Sequence, residues 1–318
     1  MKRALLAATA VAAVAVAGCA AGSTPTLPSV PAPSSSSAPS PSPTPSRAGC
    51  SDKDATRVAS YAPDGPLPGD SAGKTVAEIK RKGKLTAGVS ADNLLFGFRD
   101  PITGQLEGFD IDMVNAVAAA IFGDAKGHVD YVVENFSQRI PDLVSGRVDL
   151  VADVMTINCA RWAQISFSSQ YFDAGQKVLL PRDSAATGIG DLGGKKVCAA
   201  AGSTSIANIA AAASKPVPVA VADWTDCMVL LQQGQVDAVS TDDTILLGMA
   251  KQDPNTKLVG DRFTDEPYGI AVNKSANDLL RFVNGVLERM RGDGTWARIY
   301  AKWLGGPVPQ PPPAGYRD

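Results

Sequence analysis

The chain has one histidine, His128, among 318 residues. That leaves little for histidine-based acid–base or nucleophilic catalysis. It has no Cys-x-x-Cys pair and no Cys/His spacing of the kind that holds zinc. Charge of one sign is also missing. The formal net charge is −2, which gives no case for nucleic acid or for an anionic membrane surface as partner. After the first 18 residues, no apolar run approaches the length that spans a bilayer.

The first 18 residues form a charged start, Met1-Lys2-Arg3, and an apolar stretch ending Val16-Ala17-Gly18, just before Cys19. This reads as a signal peptide. Small residues followed by cysteine resemble a bacterial lipobox, which implies cleavage before Cys19 and a diacylglycerol thioether on it. Two or more acyl chains are what stable anchoring requires. Residues 25–45 hold eight prolines and seven serines. Such a stretch cannot bury enough surface to offset its ordering entropy, so it reads as a tether. At a rise of ~3.1 Å per residue, the segment from Cys19 to Cys50 reaches on the order of 90 Å. The last twelve residues, Pro307–Asp318, contain five prolines and read as irregular.

Between these ends, strands and helices alternate. Leu85–Val89, Val129–Val133, Val148–Asp153, Lys195–Ala200, Val217–Val221 and Val236–Ser240 read as strands. Helices follow at 110–121, 139–145, 205–213, 224–233 and 244–251. That alternation predicts an α/β fold with parallel sheets. Ser145-Gly-Arg-Val-Asp149 and Gln233-Gly-Gln-Val-Asp237 repeat one theme of helix, glycine, Val-Asp and buried strand, which points to two similar lobes. The stretch Gly108-Phe-Asp-Ile-Asp-Met113 opens a helix with an apolar stripe at Ile111, Val114, Val117 and Ile121. Its acids, Asp110 and Asp112, read as helix-start residues.

Gly108–Met113, the lobe order, and the ending Asp293-Gly-Thr-Trp-Ala-Arg-Ile-Tyr-Ala-Lys-Trp-Leu-Gly305 resemble family-3 extracellular solute-binding proteins. These are the amino-acid receptors of ABC importers, and the likeness runs strongest to actinobacterial glutamate/glutamine-binding lipoproteins. The resemblance implies a two-lobed periplasmic-binding-protein fold of type II. Lobe 1 would be residues 74–175 plus 268–306 and lobe 2 residues 179–265. Residues 1–18 would be the signal, 19–70 the anchor and tether, and 307–318 the tail. Two crossovers, near Ala174–Val178 and Glu266–Gly269, would form the hinge. Four cysteines remain after Cys19, with three possible pairings. Cys198–Cys227 with Cys50–Cys159 keeps each bond within one implied lobe.

The family carries Thr-x-Thr-x-x-Arg after a lobe 1 strand, and its arginine clamps the ligand α-carboxylate. Here that segment contains Val154, Thr156, Asn158 and Arg161, with Asn158 replacing the second threonine and serving as a helix N-cap. Across the cleft, Asp242 matches the family's partner for the ligand ammonium, with Asp243 as the second choice. Ser203 and Thr204 match a loop at a helix start that suits an anion or an amide oxygen. Lys177 matches a cation that holds a side-chain carboxylate in acidic-amino-acid receptors. Asn93 stands where relatives place an aromatic over the ligand stem, and Ser90 where some place an acid.

The resemblance therefore implies a monomeric, lipid-anchored receptor outside the cytoplasmic membrane, without cofactor or catalytic residue. It would deliver glutamate, glutamine, aspartate or asparagine to an ABC permease. A sensor whose closed form docks on a membrane signalling partner is the alternative. An enzyme on the same scaffold lacks a nucleophile–histidine or carboxylate pair.

Overall fold

The computed structural model describes residues 60–65 and 73–317. The signal peptide, Cys19, Cys50 and most of the tether lie outside the described residues. Lobe 1 begins with α1 (Gly73–Lys82), β1 (Leu85–Val89) and a three-stranded excursion of β2 (Asp92–Asn93), β3 (Gly97–Arg99) and β4 (Leu106–Glu107). Then come α2 (Phe109–Phe122), β5 (Val129–Val133), α3 (Arg139–Ser145), β6 (Leu150–Val151), α4 (Cys159–Trp162) and β7 (Ile165–Phe167). After β8 (Phe172–Ala174), lobe 2 runs through β9 (Gln176–Pro181), β10 (Lys196–Ala200), α5 (Thr204–Ala211), β11 (Val217–Val221) and α6 (Trp224–Gln232). It continues with β12 (Ala238–Asp242), α7 (Asp243–Gln252) and β13 (Thr256–Val259). The chain returns through β14 (Glu266–Tyr268) and β15 (Ala271–Asn273) to α8 (Asn277–Gly292) and α9 (Thr295–Trp303).

Two five-stranded sheets result, in the orders β5-β1-β6-β15-β7 and β11-β10-β12-β9-β13. In each, the first three strands are parallel and the last joins are antiparallel. The two passages between the sheets pair with each other as an antiparallel ribbon, β8 with β14. A two-lobed α/β fold with a double crossover is thus what the chain adopts.

The repeated Gly-x-Val-Asp theme has the same geometry in both lobes. Gly146 and Gly234 end their helices at φ +73° and +64°, where a side chain is strained. Asp149 then accepts the N–H of Thr86 at the start of β1, and Asp237 that of Lys196 at the start of β10, each at 2.8 Å. The motif locks a helix stop to the start of the neighbouring strand in its sheet.

The α2 stripe of Ile111, Val114, Val117 and Ile121 is buried, as its spacing predicts. The capping role expected of Asp110 is not what the structure shows. The N-cap of α2 is Gly108, with no side-chain hydrogen bond. Asp110 is buried and reaches across the lobe instead: it accepts from Val154 N at 2.8 Å and from Tyr171 Oη at 2.6 Å. Burial raises its carboxyl to about 7.

Cys198 and Cys227 form a disulfide that ties β10 to α6 across 29 residues. A loop of that length corresponds to roughly 3–4 kcal/mol in the chain-entropy account. Cys159 is also disulfide-bonded, and its expected partner, Cys50, lies outside the described residues. The Pro-rich tail forms neither helix nor extended strand, yet it is bound. Tyr316 pairs with Ser60 in a single bridge and donates to Glu288 at 2.6 Å, and Arg291 donates to Pro312 O at 2.9 Å.

Candidate ligand-binding cleft

The segment after β6 carries the lobe 1 half of the candidate site. Its backbone is held from three sides. Val154, at φ +39°, gives its N–H to Asp110, and Arg139 Nη1 donates to Asp153 O at 2.8 Å. Met155 O and Ile157 N bond to Gly269 N and Pro267 O of the returning crossover at 3.1 and 2.7 Å. Asn158 caps α4 as expected, accepting Arg161 N at 2.9 Å. Arg161 therefore leaves a short, fixed turn, and its Nη1 donates to Thr156 O at 2.8 Å.

The lobe 2 half lies at the ends of β10 and β12. Asp242 ends β12, is buried, and accepts from Tyr268 Oη at 2.7 Å through one oxygen. Its other oxygen, Oδ1, has no hydrogen-bond partner. Asp243 is committed elsewhere, in an ion pair with Arg262 at 2.6 Å. These two residues line a separate surface cavity of about 350 Å³ on the hinge side, with Phe172 and Trp296.

The lobes are closed on each other. Arg139 and Arg161, both from lobe 1, share the carbonyl of Gly202 in lobe 2 at 3.4 and 3.3 Å. Asp92 accepts Thr225 N at 3.2 Å, and Phe136 meets Trp224 edge-on at 5.3 Å. Gly202 is the tightest of these approaches. It sits at φ +79°, and a Cβ there would fall 2.7 Å from Ser137 Cα in lobe 1. Gly202→Ala is thus expected to leave each lobe folded but block closure. Ligand affinity should fall about 100-fold or more, because only the closed form makes both sets of contacts. Calorimetry and small-angle scattering with and without ligand check this. A variant that still compacts normally would show the approach to be incidental.

Charge is concentrated in the cleft. Burial, then the neighbouring Arg139 cation, lowers the Arg161 guanidinium to about 9. Burial, then Glu266, pushes the Asp242 carboxyl well above its usual range. Both shifts have the same sense: each side is destabilised as a charge and would be relieved by a counter-charge in the cleft.

Several of these residues were not singled out in the sequence. Arg139 reads there only as a helix start, yet it is 1 % exposed and lies 3.9 Å above the Phe136 ring. Asp153 faces it at 3.9 Å, and both carboxylate oxygens of Asp153 and of Glu134 lack hydrogen-bond partners. Glu266 accepts from Thr204, Asn208 and Thr264 at 2.9, 3.0 and 2.9 Å. The hydroxyls expected to meet a ligand are engaged within the protein, since Thr204 donates to Glu266 and Ser203 to Ala200 O at 2.6 Å.

Lys177 is not brought to the cluster. Its ammonium makes no ion pair or hydrogen bond among the described residues, whereas Gln176 is buried and donates to Ser240 Oγ at 3.0 Å. Side chains alternate along a strand, so residue 177 faces away from residue 176. Asn93 is buried beneath the lobe interface. Of the two aromatics near it, Phe96 is core and Phe98 packs edge-on to Trp303 at 6.0 Å. Among the described residues no cluster of ligating side chains could hold a metal, and no helix is long and apolar enough to cross a membrane.

A two-lobed α/β chain closed over a cleft, with a buried cation on one wall and a buried acid on the other, has the architecture of an extracellular ligand receptor. Comparison with known proteins narrows the class. Residues 85–306 match the bacterial extracellular solute-binding proteins, family 3, and the chain belongs to that family. It is 40% identical over 231 residues to the ABC transporter glutamine-binding protein GlnH of Bacillus subtilis (strain 168), covering 72% of this chain and 84% of that protein. It is 38% identical over 237 residues to the glutamine-binding protein of Geobacillus stearothermophilus, covering 74% and 89%.

Among solved structures, an ancestral arginine-binding protein bound to glutamine matches with TM-score 0.66 and 39% identity, over 70% of this chain and 99% of that one. Holo ArgBP from T. maritima matches with TM-score 0.64 and 31% identity, over 72% and 99%. The family is one of solute-binding proteins and not a class of enzymes.

Proposed function

We propose that this protein captures a polar or acidic L-amino acid (glutamine, glutamate, asparagine or aspartate) between its lobes and delivers it to an ABC permease. It does so from a lipid anchor at Cys19. Arg161 takes the α-carboxylate, Asp242 takes the ammonium, and residues 154–158 line the carboxylate side. The observation that carries this reading is the placement of two buried, ionisable groups of opposite sign on opposite lobes: Arg161, bonded only to carbonyls, and Asp242, with one oxygen unpartnered. A zwitterion complements both, and an uncharged solute leaves both unmet. The relatives named for glutamine, and the glutamate-binding protein GluB of Corynebacterium glutamicum, support glutamine and glutamate within that range. Asp242 is favoured over Asp243 because Asp243 is held by Arg262. Lys177 has no part in this site. The lobes are assigned as residues 74–175 with 268–306, and 179–265.

A crystal structure of the protein grown with L-glutamine tests the assignment. The ligand carboxylate should lie within hydrogen-bond distance of the Arg161 guanidinium and the ammonium within that of Asp242. Ligand found instead in the cavity beside Asp243 and Arg262 would contradict it.

A further inference from the structure

Two segments outside the family match at residues 85–306 meet on lobe 1: residues 60–64 of the tether and the tail at 307–317. Ser60 pairs with Tyr316 in a parallel bridge, and Ser60 O accepts Arg317 N at 3.1 Å. The Ser60 side chain is fully buried. Its hydroxyl donates to Phe167 O at 2.9 Å and accepts Asn284 Nδ2 at 2.6 Å. Asn284, buried on α8, also donates to Tyr61 O and accepts Ser169 N, each at 2.7 Å. The Arg317 guanidinium lies 3.9 Å from the centre of the Tyr61 ring and 5.7 Å from that of Trp162.

The two residues beneath these segments, Trp162 and Phe167, meet edge-on at 5.6 Å. Both belong to a small core, separate from the main one, that also takes in Met155, Ile157 and Cys159. Those three alternate with Thr156 and Asn158 and lead into Arg161, so the segment that carries the carboxylate side stands on this small core. Its helix, α4, has only four residues. A helix that short does not hold itself and depends on tertiary contacts. Asn158 caps its start. At its end, Lys274 Nζ donates to Trp162 O and Ala163 O at 3.2 and 2.6 Å. Arg317 over Trp162, and Ser60 on Phe167, add a hold from outside the family span.

We propose that the tether end and the tail form a clasp that keeps the Arg161 turn in its ligand-binding geometry, with Ser60 and Arg317 as positioning residues. The proposal rests on the reading of Arg161 as the carboxylate partner. Neither residue touches the ligand. Each acts through the small core, Ser60 by way of Phe167 and Arg317 by way of Trp162, the residue next to Arg161. When the clasp is loosened, the turn spends only part of its time in the competent geometry, and affinity falls by that fraction.

Titration calorimetry of the full chain with L-glutamine, beside thermal unfolding and hydrogen exchange of the unliganded protein, tests this. Ser60→Ala and Arg317→Ala should each weaken binding about threefold, and together about tenfold, with faster exchange of the amides at 158–163. Arg317→Lys keeps a cation over Tyr61 and should bring affinity back to within about twofold of the parent. A clasp that only stabilises lobe 1 would lower the melting temperature and leave affinity and that exchange unchanged. Such a result overturns this proposal and leaves Arg161 standing as the carboxylate partner. Failure of the parent to bind glutamine or any other amino acid overturns both.

Discussion

Arg161→Ala is expected to remove measurable amino-acid binding while the unliganded protein stays folded. Deleting one partner of a buried, hydrogen-bonded charge pair costs 2–5 kcal/mol or more, which is about 30- to 5,000-fold in affinity. The effect belongs at the upper end here, because Arg161 is buried, at 7 % exposure, and water cannot readily replace its guanidinium. The unliganded fold loses much less. Arg161 gives up its bonds to Thr156 O and Gly202 O. It also removes a buried cation that Arg139 repels and that burial already disfavours. These terms oppose each other, so the melting temperature of the unliganded variant should lie within a few degrees of the parent. Calorimetry and thermal unfolding read the two effects separately. A variant that fails to fold would make Arg161 a structural residue.

Asp242→Asn should lower affinity by a comparable factor and also alter the dependence on pH. Burial and Glu266 raise the Asp242 carboxyl well above its usual value. In the pH range between the ordinary aspartate value of 3.8 and the raised one, the folded protein holds a proton that the unfolded chain has released. The slope of stability with pH is then negative, so the unliganded fold becomes less stable as pH climbs through that range. Binding has the opposite sign. A ligand ammonium favours the ionised carboxylate, so affinity should rise with pH until the raised value is passed, and binding should release protons. Asparagine at 242 cannot titrate. The variant should lose that part of both slopes and be as stable as the parent, or more so, at neutral pH. Titrations in buffers of different ionisation enthalpy measure the proton release. Equal release from parent and variant would place the linkage on another group.

Much of the scaffold was legible because it follows from local periodicity. The α2 stripe and the Gly-x-Val-Asp stops lie within single elements or between neighbouring ones, while the Cys198–Cys227 pair followed from the lobe bounds that the resemblance implies. Arg161 was legible through a motif, with Asn158 capping its helix. The residues that were missed become neighbours only through tertiary crossovers. Glu134 follows β5, Arg139 opens α3 and Asp153 follows β6, and nothing in their local sequence marks them as a buried cluster. Asp110 shows the limit of local reasoning, since an acid in the first turn of a helix satisfies the capping rule yet bonds to Val154, 44 residues on. That bond gives the family signature a part in the site at one remove: α2 holds the segment that carries Thr156 and Arg161. Lys177 was misplaced for a simpler reason. On β9 the inward position is Gln176, and the strand period turns the next residue away.

The central claim is that the cleft is built for a zwitterion. A thermal-unfolding panel of the twenty amino acids tests it most directly. A ligand that binds only the native state adds about 2.7 kcal/mol at 100 times its Kd. For a domain of this size that is an upward shift of roughly 5–10 °C. At least one polar amino acid should produce that shift, and it should vanish in Arg161→Ala. Twenty unchanged melting temperatures would contradict the account.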